Sequence, residues 1–333
     1  MADQAIINIM TNAAKASLNT AFTDDVSDNS LDEEVVVTNY ATMTDSECES
    51  YLQTFNSNPE KFQEEYEKCY DCRLIRVPRR SKDTGWFSAF SPSTKTLIET
   101  DGDNFISDIR EVEEANEERE TPFNLHLFVD THGGSLATAE TICKAMLLYP
   151  GRIRVFVSNK AMSAGTLIAL CGHEIYLRSH ASLGQIDPQI GSRWFWLPAN
   201  SIEETNKKLN EFETPWIRDL IRGGVAPAQD ANARVLDLIN RIAEVREWSL
   251  SFRERLCSNL LSNFLTGGFG HDRPYDYFDL IKFWESDENY VESSTYHNPV
   301  LHSKWPKSAK ALTRKASEPM KTASNSYFSA FGF

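Results

Sequence analysis

The sequence predicts an α/β fold: a parallel sheet covered by helices, followed by a helical C-terminal region. Three observations carry this. Short apolar segments alternate with helix-period segments between about residues 73 and 177. The connections between them are only a few residues long, as β-α-β units require. After Pro188 the strand pattern gives way to helix-length amphipathic stretches.

Taken in order, Leu74–Val77 and Thr96–Thr100 read as strands, and Asp101–Glu118 as an acidic helix opened by an Asp-Gly-Asp cap signal. Leu125–Val129 is a strand. The helix Ser135–Tyr149 follows, with Leu136, Ala139, Ile142, Cys143 and Met146 on one face, and Pro150-Gly151 ends it. Arg152–Val157 is the next strand, Ser163–Cys171 a short, nearly uncharged helix, and Glu174–Leu177 a strand again. Beyond Pro188, helices are expected over Ser201–Leu209, Pro215–Arg222, Asp230–Ser251 and Phe252–Leu265. Gly267-Gly-Phe-Gly270 breaks that run and leads into His271-Asp-Arg-Pro274.

Three regions result. Residues 1–65 form an accessory region with a short helix (Ala5–Ala21), an Asp/Ser/Asn-rich linker and a strand at Val35–Thr38. Residues 66–300 form the main domain, and 301–333 a basic Ser/Lys/Ala-rich tail.

Composition narrows the function classes. The 333 residues are 41% apolar, enough for a sizeable core. The net charge of −14 argues against nonspecific nucleic-acid binding. No apolar run approaches the ~20 residues of a membrane helix, and Ile6–Met10 is too short for a signal segment. A cytoplasmic location is therefore expected. Cys69-Tyr-Asp-Cys72 is a lone CxxC without a second ligand pair, so neither metal nor cofactor is expected.

Chemistry concentrates at two strand-to-helix turns. Asp130-Thr-His-Gly-Gly134 follows one strand, and Ala161-Met-Ser-Ala-Gly165 follows the next. In an open parallel sheet both lie at the carboxyl edge, where ligands bind. Glycines at 133 and 134 let the backbone approach a substrate and turn its N–H groups outward. Ser163 stands where a helix N-cap is expected, yet its neighbours are small enough to leave the hydroxyl accessible. A nucleophile and a set of amide donors are the two needs of acyl transfer. Leu183-Gly-Gln-Ile-Asp-Pro-Gln189 follows, in which Asp187-Pro188 can be a turn.

In this order the segments His132-Gly-Gly134, Lys160–Leu170, Leu183–Gln189 and His271-Asp-Arg-Pro274 resemble the Clp protease/crotonase superfamily. The likeness is greatest to its serine dehydrogenase proteinase branch, related to the peptidase SppA. It covers about residues 73–300. It implies a Clp/crotonase-like β-α-β spiral and a serine endopeptidase acting on peptide or protein chains as a homo-oligomer. It makes Ser163 the nucleophile and assigns the oxyanion hole to the amides of Gly133, Gly134 and Ala164. The sequence departs from the family pattern at His132, Ala164 and Gln185, where proline, glycine and proline are usual.

The general base is open. Asp187 stands 24 residues after Ser163, where Clp proteases carry a histidine, but an ordinary aspartate pKa of about 3.9 is too low to deprotonate serine near pH 7. SppA-like enzymes use a lysine, which points to Lys208; His271 is the runner-up. His132 could line the site without catalysing anything. Two other readings share the motifs, a crotonase-like acyl-CoA enzyme and a catalytically silent oligomeric scaffold.

Overall fold

Two capped helices lead into the sheet. The Thr44 side chain opens α1 (Asp45–Gln53) in a reciprocal capping box with Glu47. Asn58 caps α2 (Pro59–Cys69), whose first position is a proline. Strand β1 (Cys72–Val77) follows directly. The computed structural model describes residues 40, 43–55, 58–78, 95–192, 195–209, 214–260, 274–284 and 297–317. They belong to one compact unit that begins at Tyr40. The expected helix Ala5–Ala21, the strand Val35–Thr38 and His271 lie outside the described residues.

The strand expected over Thr96–Thr100 is confined to β2 (Thr96–Leu97). It stops there because the Asp101 carboxylate accepts the Ile98 N–H at 2.9 Å and starts α3 (Glu99–Asn116). The expected alternation then appears as β3 (Asn124–Thr131), β4 (Gly133–Gly134), α4 (Leu136–Leu148), β5 (Ile153–Ala161), α5 (Ala164–Leu170) and β6 (Glu174–Leu177). Short strand β7 (Ser182–Leu183) precedes the hairpin β8 (Gln189–Ser192) and β9 (Phe195–Pro198). The helical region contains α6 (Ala199–Lys207), α7 (Pro215–Val245) and α8 (Leu250–Leu260). After it come β10 (Tyr275–Asp276), α9 (Tyr277–Trp284), β11 (Val300–His302) and α10 (Lys307–Ser317). Among the described residues no helix is long and apolar enough to cross a membrane.

One helix corrects the sequence reading. Pro215–Arg222 and Asp230–Ser251 were expected as separate helices, but α7 runs unbroken for 31 residues through Gly223, Gly224 and Pro227. Packing overrides the breakers: Ile202 of α6 lies against Gly224, where a Cβ would stand 3.2 Å from its Cδ1. With Ile221 and Ala228 it forms a small apolar cluster along the helix pair.

The sheet runs β1-β3-β5-β6-β11, parallel throughout, with β7 parallel to the end of β5 and β10 antiparallel to β7. Alternation along each strand sorts its side chains between two faces. Leu127, Val129, Val155, Val157 and Ile175 join the larger core, beneath α3, α4, α5, α7 and α8. Phe128 and Phe156 face the other way, into a second core with Phe62 and Tyr66 of α2 and Leu312 of α10. Residues on both sides of positions 65 and 301 therefore contribute to this second layer. Cys48, Cys69 and Cys72 are buried in it, and burial pushes the Cys69 thiol up to about 12. The CxxC is core packing.

Four ring-bearing residues stack across this face, one per strand. Phe128, Phe156, Tyr176 and His302 are in register, with centroids 5.0, 4.7 and 4.3 Å apart. Such cross-strand pairs add to sheet stability.

On the opposite face, buried Arg246 bridges two helix ends. Its guanidinium donates to the Met146 carbonyl at 3.0 Å, in the last turn of α4, and to the Cys171 carbonyl at 2.8 Å, which caps α5. Both carbonyls belong to groups that a helix leaves without an internal donor. We expect Arg246→Ala to lower stability by about 2–4 kcal/mol, measured by urea unfolding.

Candidate active site

The turn at Ser163 is strained. The residue has φ +49° and ψ −110°, a region that L-residues rarely occupy. It stands at the N-cap position of α5, but its side chain makes no capping hydrogen bond. The backbone supplies the turn instead: Gly165 N–H donates to the Met162 carbonyl at 2.8 Å, and Thr166 N–H to the Ser163 carbonyl at 2.9 Å. The half-buried serine is thereby held in a conformation its hydroxyl does nothing to stabilise.

Gly133 and Gly134 are needed for contact as much as for conformation. Both have positive φ, +91° and +145°. A Cβ on Gly133 would stand 2.8 Å from the Met162 carbonyl oxygen and 3.1 Å from Ser163 Cβ. One on Gly134 would stand 2.3 Å from the Leu97 carbonyl oxygen. The glycine turn is thus wedged between the serine turn and β2, which pairs with it in parallel. Thr131 locks the wedge. Its hydroxyl donates to the Lys95 carbonyl at 2.6 Å and accepts the Gly133 N–H at 3.1 Å.

A cavity of about 650 Å³ opens against these turns, a size typical of ligand sites. Leu97, Leu136, Leu167, Ile186 and Val235 give it apolar walls, while Ser163, His132, Asp187 and Arg234 bring polar groups to it. His132 is exposed, and Arg234 is engaged by Glu140 through two bonds of 2.9 Å. Gly133, Gly134 and Ala164 also line it.

The third motif is tied in by one hydroxyl. Buried Thr166 donates to the carbonyls of Ala161 and Gly184, 2.7 Å from each, and Gly184 N–H donates to Ala161 at 2.9 Å. This fastens the segment carrying Asp187 to the end of β5, two residues before Ser163. Asp187 is 5% exposed, and its buried Oδ1 has no hydrogen-bond partner among the described residues. Burial alone raises its pKa to about 6. The expectation of an ordinary aspartate at this position is overturned, and the apolar Leu183 and Ile186 beside it were the readable signal. Gln185 is buried and donates to the Tyr275 hydroxyl at 3.3 Å.

The lysine candidate stands elsewhere. Lys208 is exposed at the C-terminal end of α6 and is not among the residues lining the cavity; Lys207 beside it pairs with Glu204. Among the described residues, no group of His, Cys, Asp and Glu has the arrangement of a metal site.

Asp187 has a measurable consequence for stability. A raised carboxyl pKa favours the folded state only while the group is protonated, below about 3.9. That advantage fades as pH rises and is gone above about 6. Asp187→Asn is therefore expected to stabilise the protein by about 2–3 kcal/mol at pH 7.5 and by little at pH 4, read from thermal unfolding at the two pH values.

Residues 89–235 match the family of ClpP-like SDH-type serine proteinases, the branch that the motifs resemble. The chain is 38% identical over 129 residues to an uncharacterized protein of Methanocaldococcus jannaschii, a stretch covering 39% of this chain and 41% of the relative. A second uncharacterized protein of that organism is 36% identical over 87 residues, 26% of this chain and 28% of the relative. The chain thus spans well under half the length of either. Among solved structures, an alanine mutant of the 1510-N membrane-bound stomatin-specific protease is 15% identical, with TM-score 0.38, over 65% of this chain and 79% of that one. A mutant of ClpP1 from Listeria monocytogenes is 12% identical, with TM-score 0.36, over 65% and 90%.

Proposed function

We propose that this protein is a serine peptidase in which Ser163 attacks the carbonyl carbon of a peptide bond. The observation that carries the reading is the Ser163 turn. A hydroxyl held in strained backbone, unused as a cap, borders a cavity beside a glycine turn that touches it. The match of residues 89–235 to a serine proteinase family supports the same chemistry.

In this reading Ser163 Oγ bonds to the substrate carbonyl and the oxygen becomes an anion. The amides of Gly134 and Ala164 receive it. The Ala164 N–H opens a helix, so no intrahelical acceptor competes for it. The Gly133 N–H is already given to Thr131, which assigns this glycine a positioning task. Collapse of the tetrahedral intermediate releases the amine and leaves an acyl group on Ser163, which water then removes. The apolar walls suit a hydrophobic side chain next to the scissile bond. Peptide or protein chains are the substrate class, and self-association into a homo-oligomer goes with the family resemblance.

The test is Ser163→Ala against wild type, with a fluorophosphonate probe and with hydrolysis of casein and an unstructured peptide. Labelling should vanish and turnover fall by at least about 10³-fold, with thermal unfolding little changed. Labelling that persists in the variant refutes the nucleophile.

A further inference from the structure

We propose that Arg234 is a specificity-determining residue of this site, its guanidinium taking a carboxylate of the bound peptide. The proposal deepens the hydrolase reading above and rests on it for the kind of ligand. The substrate class becomes apolar peptide segments that also carry a carboxylate at a fixed distance from the scissile bond. An acidic side chain and a chain terminus both supply that group.

The placement of Arg234 carries the argument. Ala231, Arg234 and Val235 lie three and four residues apart on α7, so they share one face of the helix, and all three line the cavity that Ser163 borders. Among the described residues lining it, Arg234 is the one lysine or arginine; the other ionisable side chains there are His132 and Asp187. Arg234 does not serve as the partner of Asp187, whose shift comes from burial with no charged neighbour contributing.

The guanidinium is oriented in advance and keeps donors to spare. Glu140 on α4, one turn beyond the cavity-lining Leu136, accepts the Nε–H and one Nη2–H, each at 2.9 Å. A guanidinium carries five N–H donors. The other three, including both on Nη1, meet no protein acceptor among the described residues. A fork already fixed in one orientation loses less freedom when it grips a second carboxylate. Stability alone accounts poorly for the pair. The Arg234 and Glu140 side chains are 42% and 18% exposed, and ion pairs this open to water add little to folding.

Lys144 restores the positive charge that Glu140 cancels. It lies on the next turn of α4, is exposed, and makes no ion pair among the described residues. With Arg234 it borders a second groove of about 370 Å³ between α4 and α7, in which Arg241 is paired with Asp237. Arg234 thus stands where cavity and groove meet, in a patch with a surplus cation on a chain of net charge −14. A planar fork beside apolar walls selects a carboxylate, which it can hold by parallel N–H···O bonds.

Equal-length apolar peptides test this, each with Glu, Gln or Lys at one scanned position and with a free or an amidated C-terminus. Their Kd is read on Ser163→Ala and on Ser163→Ala/Arg234→Gln, and their kcat and KM on wild type, Arg234→Gln and Arg234→Lys. With Arg234 present, a carboxylate should improve Kd and KM by about 10- to 100-fold over its neutral counterpart, a gain that shrinks in about 0.5 M salt. Arg234→Gln should erase the gain and Arg234→Lys should keep part of it, with thermal unfolding of both close to wild type. A gain tied to Glu at one position of amidated peptides identifies a side chain as the source; a gain tied to the free terminus identifies the chain end. Glu, Gln and Lys peptides that bind alike with either terminus overturn the proposal without any Arg234 variant being needed. So does a gain that survives Arg234→Gln. Peptides that bind with the expected gain but are never cleaved, on a protein whose Ser163 takes no fluorophosphonate, remove the hydrolase reading and leave the carboxylate site standing.

Discussion

The carbonyl oxygen of Ala161 is the point on which the site depends. It accepts the Gly184 N–H and the Thr166 hydroxyl, at 2.9 and 2.7 Å, in a residue that is fully buried. Ala161 is also paired with Thr131 on one side and Leu183 on the other. Three chain segments, each carrying one part of the candidate site, therefore converge on a single peptide unit. An unfavourable backbone geometry such as that of Ser163 persists only where its surroundings over-determine it. Here they do so from the strand before it, the helix after it and the glycine turn across from it.

The contrast between two buried carboxylates shows how the fold separates structure from chemistry. Burial works against the charge of Glu174, but bonds from His302, Arg154 and Tyr176 outweigh it and hold its pKa well below the usual carboxylate range. Asp187 suffers the same burial with nothing to offset it, and its pKa moves the other way. One carboxylate is spent on holding β6 to its neighbours. The other keeps unmet hydrogen-bonding capacity beside the cavity. His126 combines the two: it is buried and bonded to the Tyr66 hydroxyl through Nδ1, its Nε2 has no partner among the described residues, and burial lowers its pKa to about 3.

What could be read in the sequence was local. Apart from the boundary at Thr96–Thr100, strands and helices from Leu74 to Leu177 were legible because each carries its own period and its own stop signals, as Pro150-Gly151 does after α4. The serine and glycine turns were legible for the same reason. Three things were not. The layer on the Phe128 face joins helices from both ends of the chain, and no window of sequence contains both. The continuity of α7 depends on Ile202 packing on Gly224, a contact between two helices. The Asp187 environment comes from segments that meet only in the folded sheet, so residue type alone suggested a fully ionised group. Lys208 was suggested by the resemblance to peptidases that use a lysine, and residue type says nothing of which side of a helix end meets the cavity.

The long helix α7 links two parts of the molecule mechanically. Its N-terminal half packs on α6, while Ala231, Arg234 and Val235 farther along form a wall of the cavity. Between them Pro227 has no N–H to give the Gly223 carbonyl, which leaves one rung of the ladder open. Pro215 lies twelve residues, about 18 Å, from that rung. A tilt of about 5° there swings the tip of the rod by roughly 1.6 Å. The wall of the cavity and the packing against α6 thus belong to a single helix, with one missing backbone hydrogen bond between them.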